Sequence, residues 1–150
     1  KGEGLNVYEC VRDASDAAFW SGAKFLVGQD ALDVDLNAGD RTMDEEDNKY
    51  KLALPLLVAA LWEKIASAGT VIRLGVTVPN TALLESDMHC YLNGNGFEFV
   101  HNGEKKRFSI ELVKVFTEGQ GVIKQQSNIS KGIFLLDIGN DTIIVSEFQG

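Results

Sequence analysis

Two carboxylates stand where strand and turn chemistry does not call for them. The first, Asp137, lies in GIFLLDIGNDTIIVSEFQG, Gly132 to Gly150. There the apolar runs Ile133 to Leu136 and Ile143 to Phe148 flank Asp137-Ile138-Gly139-Asn140-Asp141-Thr142. Gly139 and Asn140 alone would serve a hairpin turn, because both tolerate positive φ. An aspartate ending a strand, followed by a glycine that lets backbone N–H groups approach a ligand, is one way to hold a phosphate and its metal. Two like charges about 4 Å apart repel by roughly 4 kcal/mol at an effective dielectric near 20, so Asp137 beside a triphosphate requires Mg²⁺ between them. The plain alternative is a solvent-facing turn.

The second carboxylate, Glu118, lies in VKVFTEGQG, Val113 to Gly121, where a strand ends and glycines flank Gln120. A glutamate presented from such a loop could orient a water molecule, and a group acting as general base typically contributes ~10²–10⁴ in rate. An ordinary loop glutamate is the bland reading. His89 and His101 have no partners at metal-ligand spacing and read as core or surface residues. Trp20 and Trp62 read as core or as an interaction surface.

The elements that must carry these residues follow from periodicity and breakers. Leu5 to Arg12 alternates as a strand, and Phe19 to Gly28 reads as a second strand with a turn at Ser21-Gly22. Asp30 to Asp47 is an acidic loop whose spacing does not fit a calcium-binding hand. Tyr50, Leu54, Leu57, Leu61 and Ile65 recur at helical spacing, with Pro55 as a kink or first turn and Gly69 as the stop. Thr70 to Pro79 reads as a central strand covered on both faces. Thr81 is positioned to cap a helix through Leu92, ended by Asn93-Gly94-Asn95-Gly96. Phe97 to Val100 and Arg107 to Phe116 form a hairpin around His101-Asn102-Gly103-Glu104, where Asn-Gly is the turn signal. Val122 to Ser130 is a helical or irregular link to the last hairpin.

Length bounds the fold. A chain of 150 residues suits one domain, burying roughly 68–70% of its unfolded surface. With 45% hydrophobic and 24% charged residues and two prolines, it is an ordinary globular composition. Leu52 to Trp62, the longest apolar stretch, is far short of the roughly 20 residues that span a bilayer. A net charge of −8 disfavours direct contact with nucleic acid or anionic lipid. Cys10 and Cys90 form no CxxC pair, which argues against zinc and for a reducing compartment. The two glycosylation patterns, at Asn128 and Asn140, are therefore read as accidental, and a cytoplasmic protein is expected. Lys1 at the start and a strand ending beside Gly150 suggest a fragment, since an edge strand presents unpaired backbone groups.

Taken together, KYKLALPLLVAALWEKI, VIRLGVTVP, LNGNGFEFVHNGEKKRFSIELVKVFTEGQG and GIFLLDIGNDTIIVSEFQG follow one another as in bacterial plasmid-segregation actin-like ATPases of the ParM/StbA type. The resemblance begins near Phe25 and covers most of the chain. It implies an α/β, actin-like (ribonuclease H-like) domain, a mixed sheet with flanking helices, incomplete at both ends. Residues 1–150 would be a single partial first domain. It further implies ATP and Mg²⁺ as cofactors, self-association into filaments, a DNA-binding adaptor as partner, and plasmid segregation as the task. By position, Glu118 matches the glutamate that readies the attacking water. Asp137 matches the aspartate of the second phosphate loop, holding Mg²⁺ largely through water, while Gly139, Asn140, Asp141 and Thr142 form the turn facing the phosphates.

The chain also departs from that family. Asn140 and Asp141 stand where small or hydroxyl residues are usual, Ile144 where a polar or acidic one is frequent, and Thr117 where proline is common. The glycine-rich first phosphate loop and the adenosine-gripping second domain are not in these residues, so the 150-residue chain alone is expected to hydrolyse little or no ATP. A non-hydrolysing filament or scaffold module with the same fold is the alternative. A chaperone or sugar-kinase relative is a third, for which no substrate motif is evident.

Overall fold

The computed structural model describes residues 4–34, 48–67, 69–125, 133–138 and 143–148. In chain order the elements are β1 (Tyr8–Arg12), β2 (Lys24–Phe25), α1 (Gln29–Val34), α2 (Asn48–Leu61) with a 3₁₀ turn Trp62–Lys64, β3 (Thr70–Val78) and α3 (Thr81–Leu92). Then follow β4 (Gly94–His101), β5 (Glu104–Thr117), α4 (Gln120–Lys124), β6 (Ile133–Ile138) and β7 (Ile143–Phe148). Five strands make one sheet in the order β2-β1-β4-β5-β3, and β6 and β7 make a second. Neighbours in the large sheet are antiparallel except β3, which runs parallel to β5.

Period-2 alternation separates the two faces of the large sheet. Phe97, Phe99, Phe108, Ile110 and Leu112 are buried in one cluster with Leu54, Val58 and Trp62 of the α2 segment and Met88 and Leu92 of α3. Burying a side chain of this size stabilises by roughly 1.5–3 kcal/mol. The intervening residues carry charge, paired across strands in register. Glu9 meets Lys24 at 3.9 Å, Glu98 meets Arg107 at 4.0 Å, and Glu111 meets Arg73 at 3.3 Å. Pairs this exposed contribute about 0–1 kcal/mol each, so they mark the solvated face more than they stabilise it.

Local chemistry explains several elements. Asn102 and Gly103, at φ 51° and 76°, make the two-residue turn of the β4–β5 hairpin, the pair that a type I′ turn favours. Pro55 sits inside α2 without ending it. Its missing N–H leaves the Lys51 carbonyl without its usual helical donor, and the Trp20 indole Nε1–H takes that place at 2.7 Å. Trp20 is itself held by the buried Asp13, whose carboxylate accepts from the Trp20 N–H at 3.1 Å and the Ser15 N–H at 3.0 Å. Lys106, also buried, donates to the Trp62 carbonyl at 2.7 Å and lies over the Trp62 ring.

Three expectations are corrected. β3 is an edge strand of the described sheet, not a central one: Ile72, Leu74 and Val76 pack on the core while Val71 is 63% exposed. Its outward residues are Val71, Arg73, Gly75 and Thr77, and apart from Arg73 they are small or aliphatic enough to read as a second covered face. Phe19 to Gly22 is a turn, and the second strand shrinks to Lys24–Phe25. Asn80, not Thr81, caps α3, its side-chain oxygen accepting from the Leu83 N–H at 3.4 Å. The expected acidic loop falls largely on residues 35–47, outside those described.

Candidate functional site at the carboxyl ends of the strands

Parallel strands with a following helix gather ligand-binding groups at their carboxyl ends, and β3 and β5 end together there. Val78 pairs with Thr117 in register, and the next residue, Glu118, donates its N–H to the Val78 carbonyl at 2.9 Å. Gly119 then takes φ 81°, a left-handed value suited to glycine, and turns the chain into α4. That short helix is tied back by the Ile123 N–H, which donates to the Gly119 carbonyl at 3.3 Å, and by the burial of Ile123. Glu118 is thus half-buried and anchored on both sides. It is not carried on the flexible loop that its glycines suggest.

A β-bulge decides which residues reach this end. The β3–β5 register shifts between Leu74 and Gly75, skipping Val113. Before the bulge the buried apolar residues of β5 are Phe108, Ile110 and Leu112; beyond it the buried one described is Val115. Bulges beside functional sites re-aim side chains in this way. Had the alternation continued unbroken, Phe116 would have taken the buried phase. Instead Thr117 shares that phase with Val115, and its Oγ1 lies 3.2 Å from the Oγ1 of Thr81 in the first turn of α3. The ammonium groups of Lys114 and Lys124 lie 5.3 and 5.9 Å from the centroid of the Phe116 ring, so positive charge flanks the strand end.

Asp137 is the penultimate residue of β6, directly opposite Ile144 of β7. Its backbone place is the one read from the sequence, at the carboxyl end of a strand beside the hairpin tip. The Asp137 side chain and the whole tip, 139–142, with Gly139, Asn140, Asp141 and Thr142, lie outside the described residues. Glu118 and Asp137 therefore share a topological position, each at the end of its own strand, in different sheets. Among the described residues no three His, Cys, Asp or Glu side chains gather as a metal cluster. His101 is buried, its Nδ1 bonded to the Val7 carbonyl at 3.0 Å and its ring stacked on Tyr8 at 3.9 Å between centroids. Of the two places left open by the sequence, core or surface, it takes the core, at the end of β4 and not in the turn.

Neither a family model nor a curated protein matches the chain. Solved structures do. The AlfA filament structure from B. subtilis plasmid pLS32 matches over 100% of this chain and 58% of its own, at TM-score 0.51 and 14% identity. Ta0583, an archaeal actin homologue, matches over 99% of this chain and 47% of its own, at TM-score 0.54 and 19% identity. The fold is actin-like. At these identities the likeness establishes architecture alone, and the chain spans about half of each of these actin-like proteins. No helix among the described residues is long and apolar enough to cross a membrane.

The hydroxyl pair of Thr81 and Thr117 is what the sequence did not disclose. Thr81 reads as a cap and Thr117 as a departure from proline, and only the bulge at Val113 makes them neighbours. A break in the apolar alternation, Leu112 then Val115, is the one signal that pointed to it.

Proposed function

We propose that the chain is the first domain of an actin-like ATPase that assembles into filaments with ATP and Mg²⁺, of the ParM/StbA kind, working in plasmid segregation. The observation that carries this reading is the anchored Glu118 at the shared carboxyl end of the parallel β3–β5 pair, in an actin-like fold. Mg²⁺, when bound, would neutralise charge on the phosphate oxygens as the terminal phosphoryl group departs. Asp137 would hold it, largely through water, and Gly139, Asn140, Asp141 and Thr142 would face the phosphates with backbone N–H groups. Glu118 would orient the attacking water and accept its proton, at an end of the sheet where Val115 and Ile123 are buried.

The remaining half of the protein would close the site over the adenosine, which is why hydrolysis is assigned to the longer protein. Self-association supplies the filament, and an adaptor reaches DNA, because a chain of net charge −8 is repelled by the phosphate backbone. The expected compartment is the cytoplasm. Sedimentation of the full-length protein tests the reading: polymer forms with Mg-ATP and disperses as phosphate is released. Polymer that forms equally without nucleotide would favour the non-hydrolysing scaffold.

A further inference from the structure

We infer that the Thr81–Thr117 hydroxyl pair is a positioning latch for Glu118, replacing by a side-chain hydrogen bond the stiffness that a proline before the glutamate would give; this rests on the ATPase reading above. The two Oγ1 atoms are 3.2 Å apart and partly buried, and they join the last residue of β5 to the first turn of α3. Thr117 adjoins Glu118 directly, so any drift of the strand end moves the carboxylate.

The backbone shows why the latch is needed. Because Glu118 supplies the N–H that bonds β3, the Thr117 N–H faces the other way, in the direction of β4. There β4 pairs with β5 only as far as Ile110, and beyond it the Leu112 N–H turns to the Asn93 side chain at 3.0 Å. The last residues of β5 are thus held by β3 along one edge. Proline would fit such a position, since it fixes φ and needs no donor. Threonine leaves φ free, and its hydroxyl is tied instead to that of Thr81, whose own place is set by the Asn80 cap and by the pairing of Val78. One rigid corner, made of β3, the cap and the first turn of α3, therefore bears on the glutamate through two hydroxyls.

The test uses full-length protein carrying Thr81→Val, Thr117→Val, both together, Thr117→Ser and, as a separate control on the site, Glu118→Gln. Steady-state phosphate release gives kcat and KM for ATP, and amide exchange follows the Glu118 N–H. A small misplacement of a catalytic group can cost up to ~10²-fold in rate; a loosened latch should cost ~10-fold in kcat, with KM for ATP changed less than about twofold. The double variant should lose no more than the worse single one, Thr117→Ser should restore the rate, and Glu118 exchange should quicken in each valine variant. If Glu118→Gln abolishes turnover while both valine variants keep kcat within about twofold of the parent, the latch is refuted and the ATPase reading stands. If Glu118→Gln leaves turnover intact, the role assigned to Glu118 falls and the latch's catalytic role falls with it, whereas a parent protein without turnover would overturn the ATPase reading. Equal losses in all variants, with Thr117→Ser failing to rescue, would reduce the pair to packing and refute the latch.

Discussion

The β4–β5 and β6–β7 hairpins obey the same backbone rules and differ in where their side chains lie. The β4–β5 hairpin closes on Asn102-Gly103, which holds only what a type I′ turn needs, and its alternate residues Phe97, Phe99, Phe108 and Ile110 lie under two helices. The β6–β7 hairpin pairs Leu136 with Val145, both more than half exposed, and leads into a tip rich in acid and amide groups. One hairpin invests its side chains in the core. The other leaves its aliphatic pair outside the described core, and its sequence places two acidic residues, Asp137 and Asp141, between the apolar runs.

Substitutions should separate these two uses. The largest effect belongs to the first hairpin: Phe97→Ala removes a fully buried ring and should cost about 3–5 kcal/mol in denaturant unfolding. A stability loss under about 1 kcal/mol would show that the ring is not in a packed core. The strand beside it gives a pH signature. Burial, with a smaller push from Asp13, raises the Cys10 thiol from 9.0 to about 12. The unfolded chain therefore loses that proton first, so stability is intact below pH 9 and declines as pH rises from 9 toward 12. Replacing Cys10 by alanine should flatten this part of the stability curve.

The second hairpin should answer in binding. Asp137→Ala in the full-length protein should weaken Mg²⁺-dependent nucleotide binding by ~10–100-fold, the range for a group acting on a metal through its outer shell. Its unfolding midpoint should stay near the parent's. Calorimetry with and without Mg²⁺ reads this directly, and unchanged affinity would make the tip an ordinary turn. The smallest effect is expected for Leu136→Ser, below about 0.5 kcal/mol as for exposed positions generally. A larger loss would mean that another segment covers that face.

Much of the fold was legible because its signals are local. Helical spacing of Leu54, Leu57 and Leu61 marked α2, Asn102-Gly103 marked the turn, and the runs from Ile133 and Ile143 marked β6 and β7. What stayed hidden depends on partners far along the chain. Pro55 reads as a kink or a first turn, yet it lies inside the helix, where the Trp20 indole donates to the Lys51 carbonyl from more than thirty positions away. β3 reads as central because apolar alternation does not say which strand ends a sheet. Of the candidate site, the order of Glu118 and Asp137 and their places at strand ends were visible. The anchoring of Glu118 was not, because it depends on a one-residue bulge and on a neighbour, Thr81, that pairs only once β3 and β5 lie side by side.

Phosphate release by the full-length protein at saturating Mg-ATP, compared between the parent and Glu118→Gln, tests the central claim most directly, with nucleotide binding measured on the same samples. Glu118→Gln should still bind Mg-ATP and turn it over ~10²–10⁴-fold more slowly. Equal turnover in the two proteins would contradict it.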